Sequence, residues 1–207
     1  MNLRLRLGLE WLAIALLATA IVMAISLARG TQAFDNLLYD QLGAASRAPA
    51  DRDVLLVTID DASLAAIGKW PWDRAIHAAM LERLQAAKPR AILFDILLSE
   101  PGEPAADDAL AKAMTGGARM VLPLHFGSPG SDGRAYDTIL PAPDFARAAY
   151  AVGHVNVAFD DDGIVRRAAL CFEPDAGGKR WPHVAELVYR GDKGRISSAY
   201  RRQDGRC

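Results

Sequence analysis

Three carboxylates stand where chemistry at the edge of a sheet would need them. Asp60 and Asp61 close the apolar run Val54–Ile59, and Asp95 closes the run Ala91–Phe94. Open parallel sheets bind ligands beyond the carboxyl ends of their strands. If the two runs are neighbouring strands, these acids converge. Clustered acids hold hard cations such as Mg²⁺ or Ca²⁺ through oxygen, and a lone carboxylate can serve a hydrolase as nucleophile. The same residues also cap helices, because a carboxylate at a helix N-terminus accepts from free N–H groups and meets the positive end of the macrodipole. Both readings stay open, with capping the plainer of the two. No partner motif favours catalysis: the chain has no phosphate-cradling glycine loop, no G-x-S-x-G elbow and no H-E-x-x-H pair. The expectation is a protein with no catalytic residue, resident metal or cofactor of its own.

Other chemistry-bearing residues are more scattered. The corner Trp70-Pro71-Trp72 either lines a pocket or packs as a lid over the end of the sheet. Asp160-Asp161-Asp162-Gly163 has the look of a calcium loop, but an EF-hand needs alternating ligands and a closing Glu, and none stands there. An Asp-Gly turn between apolar stretches is instead a hairpin signal. His77, His125, His154 and His183 show no metal-ligand spacing. Cys171 lies in an apolar stretch and is expected to be a buried thiol, with pairing to Cys207 as the alternative.

The elements that must position these residues alternate. Val54–Ile59 and Ala91–Phe94 read as buried parallel strands, and Met120–Leu124 as a third. Between them, Asp73 caps a helix through Ala87 whose apolar face is Ile76, Met80, Leu81 and Leu84, and a second helix runs near Ala106–Met114. Ser63–Ile67 reads as a short helical turn. The βαβαβ order implies right-handed crossovers and a mainly parallel sheet covered by helices, an α/β fold. Residues 127–141 read as an exposed loop, Asp144–Tyr150 as a short helix, Gly153–Phe159 and Ile164–Phe172 as a C-terminal β-hairpin, and Trp181–Tyr189 as a helix.

Before all of this, Trp11–Ala28 is 18 residues without charge or proline. At about 1.5 Å per residue it nearly covers a hydrocarbon core of roughly 30 Å. A transmembrane anchor therefore fits better than a cleavable signal core, which is usually shorter. Arg4 and Arg6 precede it, which sets the N-terminus in the cytoplasm. Residues 1–29 are then cytoplasmic tip and anchor, and 30–207 lie outside the membrane. That larger part carries 21 basic and 24 acidic residues, and the whole chain of 207 has a net charge of −1, which argues against a nucleic-acid partner. With 51% apolar and 24% charged residues, the chain is no disordered tail.

In this order, the segments resemble the type-2 CHASE domain (cyclase/histidine-kinase-associated sensory extracellular domain, second class). The similar segments are FDNLLYD at Phe34–Asp40, VTIDDASLAAIGKWPWDRAIHAAMLERL at Val57–Leu84, AILFDILLSEP at Ala91–Pro101 and the pair Asp107-Asp108. VLPL at Val121, GHVN at Gly153–Asn156 and DDDGIVRR at Asp160–Arg167 complete the likeness. The resemblance implies a bacterial extracytoplasmic sensor anchored in the inner membrane that receives a small-molecule or environmental signal. It further implies an effector, either a histidine kinase, a nucleotide or diguanylate cyclase or a protein kinase, not contained in these 207 residues. Asp60, Asp61, Asp95, His154 and Asn156 carry over as motif positions and, with Trp70 and Trp72, are the ligand-binding candidates. Members of the family usually continue past Trp181–Tyr189, so the resemblance also suggests a sensor domain incomplete at its C-terminus. The rival expectations are a metal-dependent phosphohydrolase built on the clustered Asp residues and a truncated, non-functional remnant.

Overall fold

Residues 120–124 are apolar on both sides of the chain and are buried without exception, which makes this stretch the heart of the central strand of the sheet. A computed structural model describes residues 3–27, 32–46, 52–129, 136–174 and 178–192. It divides into two compact units, Met1–Ile59 and Asp60–Cys207. The first contains the long apolar helix α1 (Leu3–Leu27) and the amphipathic helix α2 (Gln32–Ala45). Within α1, Arg6 pairs with Glu10 at 3.1 Å, and the Thr19 hydroxyl donates to the Ala15 carbonyl at 2.8 Å, so the one hydroxyl at its middle is satisfied internally. Ala28, the end of the expected span, lies outside the described residues.

The second unit runs α3 (Asp61–Ile67), α4 (Arg74–Ala86), β1 (Ala91–Leu93), α5 (Pro104–Met114), β2 (Arg119–Pro129), β3 (Tyr136–Ile139), α6 (Pro143–Ala148), β4 (Ala151–His154), β5 (Cys171–Phe172), β6 (Trp181–Pro182) and α7 (Val184–Asp192). Strands β1 and β4 flank β2, both parallel to it. Side chains alternate across a strand, and the two faces of β2 accordingly enter different cores. Met120 and Leu122 pack with Leu81, Leu110, Met114 and Phe145 from α4, α5 and α6. Val121 packs with Val184 and Leu187 of α7. The result is a parallel three-stranded sheet between two helical layers, followed by the antiparallel pair β5–β6.

Pro123 sits inside the central strand without breaking it, and the ladder shows why. Val121 O accepts from Phe94 N on one side, while Met120 O and Leu124 O accept from Tyr150 N and Val155 N on the other. With a period of two, Pro123 faces the β1 side. There β1 has ended at Leu93, and β3 pairs only from His125 onward. The missing N–H falls in the gap between two partners.

Three sequence expectations change. Val54–Ile59 is not part of any strand among the described residues, and Val54, Leu55 and Leu56 are 72–81% exposed. Apolar at every position but Thr58, it has too little alternation to single out one register, and an extended run becomes a strand only through a partner. The stretch expected as a loop, 127–141, instead continues β2 to Pro129 and returns as β3, antiparallel, with a register shift between Phe126 and Pro129. Cys171 is no free thiol but disulfide-bonded; the chain's other cysteine, Cys207, lies outside the described residues.

Candidate functional site

Parallel strands bring their C-terminal ends to one edge, and two clusters occupy it. At the end of β1, Phe94 meets His77 from the first turn of α4, ring centroids 5.7 Å apart. Trp70 and Trp72 cover His77 at 5.5 and 6.0 Å and meet each other edge-on at 5.8 Å. The chain folds this way locally because the Trp70–Pro71 bond is cis and the Trp72 indole Nε1 donates to Gly68 O at 2.8 Å. His77 is buried, and burial, then the nearby Arg74, pushes its pKa down. The tryptophan corner is thus a packed lid whose outer indole, Trp70, is 43% exposed.

At the ends of β2 and β4 lies a second cluster. His154 is fully buried, and neither of its ring nitrogens makes a hydrogen bond among the described residues. Its ring stands edge-on to His183 at 5.0 Å, with Phe172 at 5.9 Å and Phe126 at 6.3 Å. Burial, and next the neighbouring His183, pushes the His154 pKa down to about 4 against an opposing pull from the Ala169 backbone. His183 Nδ1 accepts from Ala185 N at 3.2 Å, which leaves its proton on Nε2.

The GHVN segment around it has two further jobs. A Cβ on Gly153 would stand 2.6 Å from both Pro182 O and Leu187 Cδ1, so only glycine lets β6 and α7 approach the strand. The Asn156 amide brackets one residue of β2: its Oδ1 accepts from Phe126 N at 2.8 Å, and its Nδ2 donates to Phe126 O at 2.7 Å. The bracket supplies a ladder pair where β4 has already ended.

Asp60, Asp107 and Asp160 take structural roles. Asp60 is the N-cap of α3, its Oδ1 accepting from Ser63 N at 2.8 Å and Ser63 Oγ at 2.6 Å, and these two bonds hold its carboxyl below the usual range. Asp61, in the first turn of α3, and Asp95, just past β1, are exposed. Among the described residues no three His, Cys, Asp or Glu side chains are grouped to hold a metal ion. Asp107 accepts from Gly102 N at 2.8 Å and pairs with Arg74, which also donates to Glu100 O and lies 5.0 Å over the Phe145 ring. Burial pushes the Asp107 carboxyl up, but the Arg74 and Gly102 hydrogen bonds and the Arg74 charge bring it below its ordinary value. In the Asp160–Gly163 turn, Asp160 N donates to Ile164 O at 3.0 Å, and Gly163 takes φ +77°. Arg166 then bridges Asp160 at 2.9 Å and Asp162 at 2.8 Å. These charges are spent on the hairpin itself.

Sequence reasoning therefore singled out His154, Asn156 and both tryptophans but missed His77, His183 and Phe172. Phe172 and His183 lie outside the motif segments, and His77, although inside Val57–Leu84, reaches the edge only because α4 packs against the end of β1. The i+4 step from Asp73 to His77 was the one available hint, since it sets the histidine one turn inside a capped helix and on its buried side.

No curated protein and no solved structure matches this chain. The CHASE2 domain model does, over residues 14–202, which includes both edge clusters, the bracket and the hairpin. With α/β layers, an apolar leading helix and that match over most of its length, the chain belongs to the CHASE2 family of extracytoplasmic sensor domains.

Proposed function

We propose that this protein is a membrane-anchored sensor module that binds a signal and catalyses nothing itself. Residues 1–29 form the cytoplasmic tip and anchor, and residues 30–207 form the sensor domain on the outer side of a bacterial inner membrane. Support for the anchor comes from Arg6–Ser26, a helical stretch of α1 long and apolar enough to span a bilayer, with Arg4 before it. The signal site is the C-terminal edge of the sheet: His154 and Asn156 on one side, Trp70 and Trp72 on the other, with the exposed Asp61 and Asp95, and Asp60 at the α3 cap, as polar contacts. One observation carries this reading. His154 is a wholly enclosed ring whose nitrogens make no well-formed hydrogen bond among the described residues, at the edge where open parallel sheets receive ligands. A ligand that bonds it rewards one packing of β5, β6 and α7 on the sheet, and that population shift is the signal passed to an effector kinase or cyclase.

The topology is tested by reporters fused after residue 207. A phosphatase active only outside the cytoplasm should be active there and a cytoplasm-restricted fluorescent protein dark; the reverse pattern would refute the orientation. The phosphohydrolase reading has no observation in its favour, because Asp60 is committed to Ser63 and the acids form no metal-holding group among the described residues.

A further inference from the structure

The N-terminal end of the sheet, opposite both clusters, carries a cavity of about 500 Å³ between two turns. One turn follows α4 and presents Lys88 and Arg90; the other follows α5 and runs from Gly116 to Arg119. Its lining holds three cations and no acid. Gln85 ties the turns together, its Oε1 accepting from Ala118 N at 2.9 Å and its Nε2 donating to Ala113 O at 3.4 Å.

Two of these cations, Lys88 and Arg119, are held in ways that keep their charge available. Lys88 has φ +53° and is the one non-glycine residue with positive φ among the described residues. It occupies the residue just after the α4 C-cap, where helices favour glycine because a Cβ in the left-handed region crowds the backbone. Arg119 is half-buried with its guanidinium 5.6 Å from the centre of the Tyr150 ring rather than on a carboxylate. Neither Lys88 nor Arg119 makes an ion pair among the described residues. Helix C-termini do attract cations, but a strained lysine is a poor way to meet that need.

We propose that this cavity binds an oxyanion, a phosphate monoester by class. An ammonium point charge and guanidinium forks around one concave space suit a tetrahedral dianion, and the volume leaves room for a small esterified group. The ester is either a free metabolite or an anionic lipid headgroup, and the chemistry of recognition is the same.

The full chain in phosphatidylcholine nanodiscs is titrated calorimetrically with glycerol phosphate at constant ionic strength. Saturable binding is expected, weakened about tenfold by Arg119→Gln. Lys88→Gly removes a charge while relieving the backbone, so binding should weaken while the melting temperature holds or rises. Melting in nanodiscs that contain phosphatidic acid, without soluble ester, separates the sources: stabilisation lost in Lys88→Gly assigns the headgroup, and binding of the soluble ester alone assigns the free metabolite. No saturable binding in either format, or binding untouched by both substitutions, overturns the proposal and leaves the cations as partners of the helix ends.

Discussion

Gly153 and Asn156 show how a short motif can be structural and still define a site. Gly153→Ala places a methyl within 2.6 Å of a backbone oxygen that cannot move away, so the packing of β6 and α7 must give. A loss of about 2 kcal/mol is expected, typical of overpacking, read as a lower denaturant midpoint with unchanged slope. Asn156→Ala strips two partners from the Phe126 backbone and should cost about 2 kcal/mol, with Asn156→Asp still weakened because its carboxylate cannot donate to Phe126 O. A midpoint unmoved by either Asn156 substitution would mean that water replaces the bracket.

The clusters act as elements, and here pH is informative. His154 belongs to β4, and its ring holds the β5–β6 region through Phe172 and His183. Its folded pKa of about 4 lies below the ordinary 6.5. Above pH 6.5 both folded and unfolded forms are neutral, and nothing is lost. As pH falls from 6.5 to 4, the unfolded ring gains a proton that the folded one refuses, so stability declines by up to about 3 kcal/mol. The depressed acids Asp60, Asp107 and Asp160 act lower, with stability present above 3.8 and lost as pH falls further. Melts at pH 7 and pH 4.5 should therefore differ in the wild type and differ much less in His154→Gln. An equal difference in both would place the sensitivity elsewhere, with His77 the next group to substitute.

At this same scale the sequence was legible where local signals and tertiary demands agree. The capped helices α4 and α5, the strands β1 and β2 and the Asp-Gly turn stand within a few residues of their expected places, whereas Gly153–Phe159 and Ile164–Phe172 are joined by the single bridge Ala158–Arg167, β4 pairs with β2, and the C-terminal antiparallel pair is β5–β6. It was illegible where a partner decides. Val54–Ile59 has the composition of a core strand but no strand assignment among the described residues, and β3 emerged from a Gly- and Asp-rich stretch because the far end of β2 needed pairing. The acids are ambiguous for a related reason: a carboxylate after an apolar run is equally suited to a cap and to a ligand, and Ser63, three residues on, makes Asp60 a cap.

Across the whole molecule, an apolar leading helix and a layered α/β unit combine in a family whose members sense signals outside the cytoplasm. The edge of the sheet offers an enclosed imidazole and an aromatic lid, and no reactive constellation occurs among its described residues. A sensor of this kind should respond to its ligand by stability rather than by turnover, since binding to the folded form alone raises the melting temperature by mass action. The most direct measurement is a thermal melt of the full chain in phosphatidylcholine nanodiscs against a panel of small polar and aromatic metabolites, with His154→Gln measured in parallel. The account predicts that at least one compound raises the wild-type melting temperature and leaves the variant's unchanged. A panel without effect on the wild type, or a shift fully retained in His154→Gln, would contradict a signal site at this edge.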